Sequence, residues 1–252
     1  EEVCDLKQPV IFSNCLEENL AHSIICQKFE SYDVNVRNDK YIIEKTDGEE
    51  LFLNNTLKNV LKMLKNDKNR NIIVENNMEF LHETLINKIY NKNGNFLKPY
   101  FTFYKKYDYV FGSENSTTVL KYDVYYRNFF QIVQGNVRIK MCSPKNKKLL
   151  YELKDYENYE FVSPINPWDV QNEYKETNSK IKWLDITLTK DDVIFIPAYW
   201  WYSFELTNDA VLARYSYNSY ISSLSVINHN LLYFLQNQNI KRITEPTLNK
   251  KE

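Results

Sequence analysis

The sequence has only 4 glycines in 252 residues. A phosphate-cradling loop needs glycine where the backbone must approach the ligand, and neither GxGxxG nor GxxxxGK[ST] occurs, so nucleotide chemistry of those types is excluded. The 4 cysteines (Cys4, Cys15, Cys26, Cys142) contain no CxxC pair, and the first three are spaced 11 apart, which is no zinc-ligand spacing. They read as reduced, structural thiols. Net charge is -1 and the pI is near 6.4, so there is no basic footprint for nucleic acid or an anionic membrane. The basic clusters Lys62 to Arg70 and Ser143 to Lys148 are diluted by Asn and Asp and read as solvated faces. No apolar run reaches the roughly 18 residues of a membrane helix, which predicts a soluble, intracellular protein.

What is present is aromatic: 20 tyrosines and 14 phenylalanines, within a hydrophobic content of 43%, enough for one well-filled core. Abundant Asn and Lys with scarce Ala match an AT-rich coding genome, such as that of a giant virus or an apicomplexan parasite. The first residue is Glu, so a further N-terminal part is conceivable.

Patterning divides the chain into three stretches of a single domain. Residues 1–98 mix strands ("PVIFSN", "YDVNVR") with helices, one placing Leu57, Val60, Leu61 and Leu64 on one face, another Met78, Leu81, Leu85 and Ile89. Residues 99–218 hold short strands in close succession, from "FTFYKK" to "VLARYSYN", the pattern of a sandwich or small barrel. Residues 219–252 form a C-terminal helix and tail, the helix running from about Ile221 to Gln238. The fold class expected is mainly β with flanking helices.

Two segments carry a resemblance. "STTVLKYDVYYRNFFQIVQGNVRIKMCSP" (Ser116 to Pro144) and "DDVIFIPAYWWYSFE" (Asp191 to Glu205) are similar to the JmjC/cupin-type Fe(II)/2-oxoglutarate oxygenases, nearest the asparaginyl-hydroxylase-like branch. "KQPVIFSN" resembles the strand that opens such domains, so the similarity runs over roughly residues 8 to 235. It implies a double-stranded β-helix (jelly-roll) core. In the family two His and one carboxylate hold Fe(II) and leave open positions. His-x-Asp sets two ligands on one side of a strand, and a cation meets the far carboxylate of 2-oxoglutarate.

Carried onto this chain, the first ligand position holds Lys121, the carboxylate is kept as Asp123, and the distal histidine position after the paired tryptophans holds Tyr202. The cosubstrate lysine position holds Val137, with Arg138 beside it on the opposite face. Thr118 matches a cosubstrate-binding position. Asn128, Trp200 and Arg214 fall at other positions of that pocket, and one extra residue lies between Asp123 and Asn128 relative to the pattern.

An ammonium repels a metal ion, a phenol of pKa about 10 is a poor Fe(II) ligand, and valine cannot neutralise a dicarboxylate. The expectation is a polar cluster of Lys121, Asp123, Tyr202 and Arg214 where iron would sit, with Lys121 pairing to Asp123. No metal or cofactor is then expected, and the protein is a catalytically inactive structural or protein-binding module, such as a viral or parasite assembly component. Partners are proteins or a second copy through the C-terminal helix, which resembles the family's dimerisation region.

Two alternatives stay open. One is an active Fe(II)/2-oxoglutarate-dependent hydroxylase with atypical ligands. The other is a metal-free pocket in which Lys121 and Arg214 bind a small anion. His22, His82 and His229 lie on helices and read as surface or partner-facing residues. Ser216, Ser219 and Ser222 lack a nucleophile elbow, and Trp168, Trp183, Trp200 and Trp201 read as core and rim packing.

Overall fold

Two long strands organise the chain in the computed structural model, which describes residues 2–16, 20–37, 51–67 and 71–248. They are β8 (Arg127–Cys142) and β13 (Trp201–Ser219), which run antiparallel from the pair Trp201 with Cys142 to the pair Tyr217 with Arg127. The register shifts between Thr207 and Leu212, so β13 bends there and its two halves find different neighbours. The first half pairs with β6 (Ser116–Thr117) and β7 (Lys121–Tyr122), the second with β5 (Thr102–Gly112). β8 divides likewise, near Gly135 at φ 71, a backbone conformation that glycine adopts without strain. One half of β8 pairs with β12 (Asp192–Phe195) and the other with β11 (Leu184–Thr189). Long strands that change partners halfway produce a jelly-roll core.

Strands of residues 1–98 extend the same sheet. β1 (Val10–Ser13) pairs with β12, while β4 (Ile73–Val74) joins β5 to β2 (Asp33–Arg37), which pairs with β3 (Phe52–Thr56). β9 (Leu153–Asp155) and β10 (Glu160–Val162) continue from β7. Two apolar layers result. Ile132, Val137, Ile139, Phe204, Leu206 and Leu212 fill the inside of the roll. Val60, Phe80, Leu81, Tyr90, Tyr107 and Tyr215 cement the helices to its outer face. Each such side chain contributes ~1.5–3 kcal/mol on burial.

Local differences from the expected elements have physical causes. The helix anticipated over Met78, Leu81, Leu85 and Ile89 is two helices, Met78–Glu83 and Ile86–Asn93. Leu85 between them is left-handed at φ 61 and 55% exposed, and the Thr84 hydroxyl donates to the Phe80 carbonyl at 2.6 Å. The break turns Phe80, Leu81, Ile86 and Tyr90 inward in place of Met78 and Leu85. "TTVLKYDVYY" supplies only the short β6 and β7, because the intervening backbone bonds to β13 through Thr118. The C-terminal helix is interrupted at Val226, whose buried side chain joins a third cluster with Trp201 and Phe161. It consists of Tyr220–Ser225 and Ile227–Leu248, the first capped at its N-terminus by a Ser219–Ser222 capping box. No described helix is long and apolar enough to cross a membrane.

Candidate functional site

The turn "IPAYWW" aims the site. Tyr199 is left-handed (φ 66), its N–H donates to the Asp123 carbonyl at 2.8 Å, and the Trp200 N–H donates to the Pro197 carbonyl at 3.2 Å. β13 therefore starts directly against β7, with Tyr202 opposite Lys121. Alternation along β13 places Tyr202, Phe204 and Leu206 inside the roll. Beyond the bend it brings Arg214 and Ser216 opposite Phe130 and Asn128 of β8.

Asp123 is the centre of one network. Its Oδ1 faces Arg214 Nη2 at 2.7 Å, and its Oδ2 accepts from Asn128 Nδ2 at 3.0 Å and from the Tyr202 hydroxyl in a very short bond. Arg214 Nε donates to Asn128 Oδ1 and Ser216 Oγ, both at 3.0 Å, and the Ser216 hydroxyl donates to Asn128 Oδ1 at 2.6 Å. Burial opposes ionisation of Asp123, but the Arg214 and Lys121 charges and the hydroxyl of Tyr202 overcome it and hold the carboxyl below its ordinary range. Burial, then the Asp123 charge, push the Tyr202 phenol well above its ordinary value, so it stays a neutral donor.

Lys121 belongs to a second network, and here the expected ion pair with Asp123 is corrected. Its ammonium donates to Glu75 Oε2 at 2.7 Å, while Glu75 Oε1 accepts from Arg37 Nη1 at 2.6 Å. Arg37 also grips Glu160 with two bonds, at 2.6 and 3.1 Å. Glu75 follows β4, close enough to β7 to intercept the lysine. Burial raises the Glu75 pKa, yet Lys121 and Arg37 outweigh it and hold the carboxyl down at about 2. Asp108 accepts the backbone N–H groups of Asn76, Asn77 and Tyr109 at 2.7–2.8 Å. The space left between Glu75, Asp108, Lys121, Tyr202 and Arg214 is about 10 Å³, room for about one water.

The remaining positions lie around these networks. Thr118 is buried, with its hydroxyl accepting from the Phe204 N–H at 2.8 Å. Val137 is fully buried in register with Leu188 and Leu206, inside the apolar layer. Arg138 points outward to Glu205 and Asp185. Trp200 sits half-buried at the rim, its indole N–H donating to the Lys7 carbonyl at 3.2 Å. Each histidine has its own local contact: His22 with Tyr109, His82 with Asn87, His229 with Tyr156. None of the four cysteines is in a disulfide.

Fe(II) and 2-oxoglutarate, which the resemblance implies, do not fit these donors. The two positions that the resemblance assigns to imidazoles carry an ammonium and a neutral phenol, and Asp123 has its oxygens committed to Arg214, Asn128 and Tyr202. Among the described residues no group of three His, Cys, Asp or Glu side chains is placed to hold a metal ion. Val137 offers no charge to a dicarboxylate. Lys121 and Arg214 are each paired with a carboxylate.

Arg37, Glu75, Asp108 and Glu160 were not singled out from sequence. For Arg37 and Glu75 the signal is a charge closing an apolar strand, in "DVNVR" and "NIIVE", where a neighbour of opposite sign is required. A comparison with protein families matches residues 1–223 to the cupin-like domain. No curated protein matches the chain.

Proposed function

The chain belongs to the cupin-like domain family, and on that premise we propose that it is a catalytically inactive, degenerate relative of the asparaginyl-hydroxylase-like oxygenases, kept as a structural or protein-binding module. What supports this is the filled centre of the roll: a lysine, a tyrosine and two arginines satisfy the carboxylates where a metal and a dicarboxylate would need vacant ligands. Fold and chemistry are separable in this way, since the roll is held by its apolar layers. Turnover tests it. With Fe(II), ascorbate and 2-oxoglutarate, succinate should form no faster than without the protein, and formation above that blank refutes the proposal.

The partner proposed is a second copy through the C-terminal helices. Leu231, Leu232, Tyr233, Phe234 and Leu235 are consecutive and 42–58% exposed, so at 100° per residue they present apolar surface around the whole helix. Tyr220, Ile221 and Leu224 add 61–79% exposed apolar side chains, with Phe103 against the Tyr220 ring. Sedimentation equilibrium should give twice the 30.3 kDa chain mass, falling to the chain mass in L231D/F234D. A chain-mass species for the native protein would contradict it.

A further inference from the structure

Above the ion-pair networks, a cavity of about 70 Å³ opens to solvent. At about 15 Å³ per water it has room for roughly five waters, the size of a ligand with a few heavy atoms. Phe52, Tyr125, Tyr159 and Phe161 stand among its lining residues, but most of the lining surface is polar, and its charges are uneven. Three cations, Lys106, Lys121 and Arg214, face two carboxylates, Asp123 and Glu160.

The contacts decide which charge is left over. Glu160 is gripped twice by Arg37 from below, and Asp123 by Arg214, while Lys121 is held by Glu75. Lys106 is different. It is half-buried on β5, and its ammonium donates to a neutral acceptor, Asn76 Oδ1, at 3.0 Å. Asp108, two residues along the same strand, is turned to three backbone N–H groups and lines the inner void, not this cavity. An ammonium has three N–H donors. At least two on Lys106 are uncommitted, beside a small, partly enclosed space where a charge-assisted hydrogen bond is stronger than in water.

We propose that this cavity binds a small monocarboxylate, with Lys106 as its counter-ion. One negative charge matches the surplus of one cation in the lining, and the volume admits an acid of about acetate's size. The site involves neither Val137 nor the Thr118 hydroxyl, and it does not depend on whether the protein turns over.

The test is a titration of the native protein with sodium acetate against sodium chloride at equal ionic strength, read by thermal shift and calorimetry. Acetate should raise the melting temperature saturably where chloride does not. Lys106→Met, expected to fold because the side chain is half-exposed with one hydrogen bond, should weaken acetate binding about tenfold or more. Lys106→Arg, which keeps the charge, should retain it. Acetate acting no differently from chloride, or Lys106→Met binding acetate as tightly as the native protein, overturns the proposal. Because the iron and succinate measurements use different readouts, its failure is distinguishable from that of the inactive-module reading.

Discussion

Glu75→Ala is expected to destabilise the protein by about 3–5 kcal/mol, because it leaves Arg37 and Lys121 buried without the carboxylate they share. Against a typical domain stability of about 5–15 kcal/mol this is a large fraction. Denaturant unfolding at pH 7 is the measurement. Lys121→Met should cost clearly less, since Glu75 then still holds Arg37 at 2.6 Å. Equal costs would mean that the network does not depend on its shared carboxylate.

The same group sets a pH dependence. The folded Glu75 pKa, about 2, lies below the ordinary glutamate value of 4.5, so the unfolded state binds more protons as the solution is acidified. The stabilisation is fully present above about pH 4.5 and is lost as the pH falls toward 2. Asp123, also held low, adds to the loss in the same direction. In Glu75→Gln that acid-limb slope should be shallower than in the native protein.

The second large effect is a gain. K121H/Y202H places imidazoles at paired positions of β7 and β13, with Asp123 two residues along. It also removes the phenol bonded to Asp123 Oδ2, while Glu75 keeps its bond to Arg37. Two His and one carboxylate on one face form a site for a divalent metal, so saturable Fe(II) binding should arise in the double variant and strengthen above about pH 6.5, where imidazole is neutral. A folded double variant with no more affinity than the native chain would show that Lys121 and Tyr202 do not stand at the metal positions.

Much of this was legible in the sequence, at the level of pattern. Ile-Pro followed by paired tryptophans marked the strand start, because the turn requires that geometry, and two-residue alternation assigned Lys121 and Asp123 to one side. Helix periodicity placed Val60 and Leu61 correctly but could not see the left-handed Leu85 that splits the next helix, since the break depends on the burial of Ile86 and Tyr90. Nor could it see which carboxylate Lys121 would choose. Glu75 lies 46 residues away, and only the pairing of β4 with β5 brings it beside β7. Lys106 was invisible for the same reason: a lysine in a strand reads as a solvated charge until the cavity beside it is known.

The central claim is that the centre of the roll is closed to metal by its own side chains. An anaerobic Fe(II) titration of the native chain with 2-oxoglutarate present, followed by metal analysis after desalting, tests it most directly. No saturable uptake and no retained iron are expected, and one Fe(II) held per chain would contradict it.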